Sequence, residues 1–123
     1  MPPENLDAGR LSDMLVYARE IVETLRGFSF AEYDRDRNLR LATERRIEII
    51  GEAARRVSPA FQATHPAIPW PKIVAMRHIL AHEYGEVKQE VVFRIATAHI
   101  PELISQLEPL VPPPPPAETD QRQ

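Results

Sequence analysis

The chain has 123 residues, 43% of them apolar, 27% charged and only 7% aromatic, enough for one domain with a proper core and better suited to a helical protein than to an all-β one. Its formal charge of -3 gives no global basic field, so any nucleic-acid site must be a local patch. The absence of cysteine excludes disulfides and thiolate metal sites and fits a reducing cytoplasm. Nothing resembles a signal peptide, and no apolar run approaches a membrane span.

From about Leu6 to Arg26, Leu11, Met14, Leu15, Ala18, Ile21, Val22 and Leu25 recur at three-and-four spacing, one helical stripe. Asn5 or Asp7 can cap its start, and Gly27 fits just past its end. Ser29 with Glu32 forms a capping box that opens a short helical turn. A second long helix runs from beyond Asp36 to about Val57, with Leu39, Thr43, Ile47, Ile50, Ala54 and Val57 on one side. The small residues Gly51, Ala53 and Ala54 admit a close neighbour. Seven arginines between Arg35 and Arg56 alternate with Asp34, Asp36, Glu44, Glu48 and Glu52. A ladder of intrahelical ion pairs explains most such patterns; contact with RNA is the other reading.

Ser58-Pro59 reads as a cap and first-turn proline for a brief helix through Thr64, ended by His65-Pro66. Ile68-Pro69-Trp70-Pro71 is a rigid connector, with Trp70 as a packing anchor, because prolines confine their own φ and the preceding residue. Pro71 opens a third long helix that Gly85 stops. The last helix, from about Lys88 to Leu110, carries Val91, Val92, Ile95, Ala98, Leu103, Leu107 and Leu110, and Pro101 should kink it. The expected architecture is an all-α, up-and-down bundle of four main helices plus short helical turns over residues 1–111. Residues 112–123, which open with five prolines, form a disordered tail.

The third helix ends in M-R-H-I-L-A-H-E-Y, Met76 to Tyr84. At about 100° per residue, Arg77 and Tyr84 share one face and His78 and His82 another, while Arg77 and His82 stand about 140° apart. Those two converge only if the arginine bends round or a second copy of the helix is brought in by a two-fold axis. A solvated face is the plain reading of such residues. A permanently charged fork donor, a group titrating near neutrality and a phenol are also what phosphate chemistry uses. His78 and His82 have the i,i+4 spacing of a zinc pair, but only two ligands are evident, so no metal or other cofactor is expected. His65 and His99 read as structural or exposed.

Three motifs in register, I-E-I-I-G-E-A-A at 47–54, H-P-A-I-P-W at 65–70 and R-H-I-L-A-H-E-Y at 77–84, make the chain resemble the HepT toxins, a branch of the HEPN nucleases. The resemblance runs from about Arg10 to Leu110. It implies a HEPN-like bundle and a metal-independent ribonuclease whose cleft forms between two protomers of a homodimer in the cytoplasm, acting on mRNA or tRNA. Arg77 and His82 carry over to catalysis, with His78 at the variable polar position. It also implies a type VII-like toxin-antitoxin pairing, in which a minimal nucleotidyltransferase antitoxin attaches AMP to Tyr84. The alternative is a non-catalytic helical module that positions substrate for a partner nucleotidyltransferase.

Overall fold

The computed structural model describes residues 5–80 and 87–112, and within them all regular structure is helical. The order is α1 (Asn5–Leu25), α2 (Phe30–Arg35), α3 (Arg37–Arg56), α4 (Pro59–Thr64), α5 (Trp70–Leu80), α6 (Gln89–Arg94), a π-helical turn (Ile95–His99), α7 (Ile100–Leu107) and a closing 3-10 turn (Glu108–Leu110). Helices α1 and α3 pack along each other, α5 packs against α3 as well, and α7 closes against α1. The core between them holds Leu11, Met14, Ile21, Ile47, Ile50, Ile73, Ile100 and Leu107, each essentially without exposure. Burying each such side chain contributes about 1.5–3 kcal/mol.

Local chemistry sets the boundaries. Gly27 follows α1 with φ +82°, a left-handed turn that costs glycine little. Ser29 and Glu32 form the expected reciprocal capping box of α2. Asp36 ends α2 and caps α3 through a 3.0 Å hydrogen bond from the Leu39 amide. Ser58 caps α4 ahead of Pro59. Pro71 falls one residue inside α5, which begins at Trp70. Trp70 is buried, its indole N–H donating to the His65 carbonyl at 3.0 Å. His65 is half-buried and stacks on Phe61, and His99 is exposed.

Two expectations change. Asp7 is already inside α1 and does not cap it. Its buried carboxylate instead accepts the Ser58 amide at 2.9 Å and hydroxyl at 2.6 Å, which fastens the start of α1 to the α3–α4 junction. The Pro101 region is a π turn as well as a proline site. Lacking an N–H, Pro101 cannot bond the carbonyl four residues back, and the ladder widens one residue earlier, where the Ile100 amide reaches Ile95. The extra residue shifts the buried stripe from Ile95 and Ala96 directly to Ile100, so Ala98, placed on the apolar face by a regular period, is exposed.

A partly buried relay links three helices: the Tyr33 hydroxyl donates to Gln89 at 2.6 Å, and the Gln89 amide donates to Glu44 at 2.7 Å. Burial first, and the Glu44 charge second, push the Tyr33 phenol well above its ordinary value. Among the described residues every buried polar side-chain atom is paired, and no helix is long and apolar enough to cross a membrane. The stop at Gly85 and the tail from residue 113 onward lie outside the described residues.

Candidate active cleft

Helix α5 buries Trp70, Ile73 and Met76. Arg77, one turn beyond Ile73, therefore rises along the face that meets α3. It can do so because position 51 has no side chain. A Cβ built on Gly51 would stand 2.7 Å from Arg77 Cγ, 3.2 Å from its Cδ and 3.2 Å from the Ile73 carbonyl oxygen, inside the roughly 3.5–4.0 Å at which carbon atoms settle. The close helix approach expected of the small residues on α3 is thus spent on seating an arginine stem.

The next residue orients the guanidinium. Glu52 forms an ion pair with Arg77 Nη1 at 3.1 Å through one oxygen, and accepts hydrogen bonds from Arg55 at 2.7 Å and Arg56 at 2.8 Å through the other. Hydrogen bonds from Arg55 and Arg56, aided by the nearby charges of Arg55 and Arg77, pull the Glu52 carboxyl down to about 2, so it is ionised throughout the neutral range. One carboxylate facing three guanidinium groups leaves a local excess of positive charge. The Arg77 side chain remains 37% exposed.

That exposed part opens on a cleft of about 450 Å³ bounded by Arg10 and Asp13 of α1, by Arg45, Glu48, Ile49, Glu52, Ala53 and Arg56 of α3, and by Arg77. Some of the intrahelical ladder is real, in Arg45–Glu48, Arg55–Glu52 and Arg56–Glu52. Arg46 instead reaches across to Glu20 on α1 at 3.0 Å. What the ladder reading missed is Glu52 as the partner of Arg77. The signal was available: glycine inside a helix is destabilising by about 0.5–1 kcal/mol, and its presence in I-I-G-E-A-A marks a close approach.

Of the residues singled out from sequence, Arg77 lies in this cleft, and His78 is exposed and does not line it. His82 and Tyr84 lie outside the described residues, and with them the shared faces and the angle between Arg77 and His82. Among the described residues no three His, Asp or Glu side chains converge as metal ligands would.

An all-α bundle with an arginine of an R-x4-H motif set in a cationic cleft is of the HEPN ribonuclease class. The family model described as "Ribonuclease HepT-like" matches residues 14–110, and the chain belongs to the HepT-like ribonuclease family. Among curated relatives, "Probable ribonuclease HepT" of Thermococcus cleftensis is 33% identical over 100 residues, covering 81% of this chain and 91% of that protein. "Putative RNase TTE0752" of Caldanaerobacter subterraneus subsp. tengcongensis is 33% identical over 101 residues, covering 82% and 90%. "Putative RNase MJ1380" of Methanocaldococcus jannaschii is 30% identical over 98 residues, covering 80% and 90%. No solved structure gives a significant match.

Proposed function

We propose that this chain is the toxin of a toxin-antitoxin pair and cuts RNA without a metal, using Arg77 and His82, with His78 beside them, in a cleft completed by a second protomer. The observation that carries the reading is the seat of Arg77. Its stem is wedged over Gly51, one amino group is held by Glu52, and the side chain stays partly open to a cationic cleft.

The chemistry such a fork suits is displacement at phosphorus. One imidazole takes the proton of the ribose 2′-hydroxyl, the 2′-oxygen attacks the phosphorus, and the bond to the 5′-oxygen breaks. A second imidazole, in its protonated form, gives its proton to the leaving 5′-oxygen. The products are a 2′,3′-cyclic phosphate and a 5′-hydroxyl. Histidine with an ordinary value of about 6.5 serves in either role near neutrality, and His82 from each of two protomers supplies the pair. Arg77 stabilises the extra negative charge on the five-coordinate phosphorus through two parallel N–H donors.

Control comes from Tyr84, two residues past His82. A nucleotidyltransferase antitoxin that attaches AMP to its hydroxyl adds negative charge and bulk close to Arg77 in sequence, at the expense of the substrate phosphate. The primary test is cleavage of RNA by the purified full chain in the presence of chelator, with product ends identified. Cyclic phosphate ends, loss of cleavage in His82→Ala, and a homodimer in solution support the proposal. Binding of RNA without cleavage by the unmodified protein points to the non-catalytic module instead. Incubation with the cognate nucleotidyltransferase and ATP should add one AMP to the intact mass, and Tyr84→Phe should abolish the gain.

A further inference from the structure

The cleft extends well past Arg77. From Arg45 to Arg56 it follows α3 for eleven residue steps, about 16 Å at 1.5 Å per residue. Arg77 meets α3 between these ends, at Gly51 and Glu52. Toward the Arg56 end the Arg10 guanidinium of α1 donates to the Arg56 backbone carbonyl at 3.1 Å, and the Arg56 side chain shares the Glu52 carboxylate with Arg77. Arg56 gives its Nε to Glu52, and its two terminal amino groups have no hydrogen-bond partner among the described residues. Asp13 and the paired Glu48 and Glu52 are the opposing charges on the walls.

We infer that Arg10 and Arg56 form a second phosphate subsite, which binds a backbone phosphate of the same RNA strand beside the one that Arg77 holds. This rests on the ribonuclease reading for its substrate and adds the residues that hold the strand away from the reacting bond. Guanidinium groups from two elements at a fixed spacing along a groove suit a chain of phosphates, because each takes one charge and the spacing is set by rigid helices. Arg26 supplies the internal control. It lies just past α1, pairs with Glu23 and does not line the cleft, so its removal changes the net charge equally without touching the groove or the Glu52 cluster.

The test is binding of a 2′-O-methylated single-stranded RNA, which lacks the attacking hydroxyl, to the full-length protein across a salt series. A single strand contributes a slope of about 0.7 per phosphate contact, so one contact is worth about fivefold at 0.1 M relative to 1 M salt. Arg56→Ala should weaken binding by about that factor, reduce the slope by about 0.7, and raise KM for cleavable RNA with little change in kcat. Arg26→Ala should leave slope and KM near wild type. Equal effects of Arg26→Ala and Arg56→Ala overturn the subsite, as does an unchanged slope in Arg56→Ala or an effect confined to self-association. If the wild type binds the methylated strand with this pattern but cuts no RNA, the subsite stands and the nuclease reading fails. If it cuts RNA and Arg56→Ala behaves as wild type, the reverse holds.

Discussion

Gly51→Ala puts one methyl group where the structure leaves no room. The new carbon would sit 2.7 Å from Arg77 Cγ and 3.2 Å from the Ile73 carbonyl, so about 1 Å of movement is needed to reach an ordinary contact. Alanine is intrinsically better than glycine inside a helix by about 0.5–1 kcal/mol, while overpacking a helix contact costs about 1–3 kcal/mol. The net loss is therefore about 0–2.5 kcal/mol, and the protein should still fold. Its activity should suffer more. Either α5 moves off α3 or the Arg77 stem rotates and carries the guanidinium away from Glu52, and displacement of about 1 Å at a reacting group can cost about 100-fold in rate. Thermal melting beside single-turnover RNA cleavage separates the two effects. Gly9→Ala is the control, because nothing lies within 4 Å of a Cβ there, and it should be stabilising by up to about 1 kcal/mol with normal cleavage. A Gly51→Ala protein that folds and cuts RNA at the wild-type rate refutes the claim that Gly51 seats Arg77 for catalysis.

Arg77→Lys should lose most of the cleavage rate, since an ammonium cannot present two parallel donors; rate retention under saturating RNA argues against a bidentate role. Ser58→Ala removes both the α4 cap and the hydroxyl donor to buried Asp7, and chemical denaturation should show a loss of about 1–3 kcal/mol. Tyr33→Phe breaks the relay to Gln89 and should cost about 0.5–1.5 kcal/mol in the same assay. The Glu52 carboxyl is depressed to about 2, so its contribution to stability is fully present above the ordinary carboxylate range and fades as pH falls from there toward 2. Melting temperatures at pH 3 to 5 should accordingly fall less steeply in Glu52→Gln than in the wild type; identical acid limbs count against the Arg–Glu52 hub.

Much of the fold was readable in order because its signals are local. The three-and-four stripes of α1 and α3, the Ser29–Glu32 box, the Ser58-Pro59 start and Gly27 each act through neighbours within one turn of the chain, and each stands where its chemistry put it. The motif at 77–84 was legible as a resemblance, and the family match over residues 14–110 agrees with it.

Tertiary structure decided what depends on distant partners. Asp7 looked like a cap for its own helix, but Ser58 lies 51 positions away and offers two donors in a buried place. Ala98 fitted a regular period until the missing Pro101 amide widened one turn and moved the buried stripe past it. The cleft is the plainest case: periodicity shows that Gly51 and Glu52 are small and acidic neighbours on a helix, and only the packing of α5 on α3 makes one the seat and the other the anchor of Arg77. Sequence determines which backbone forms where, because that energy is paid within a turn or two, whereas the environment of a charge is set by whichever surfaces the folded chain brings against it.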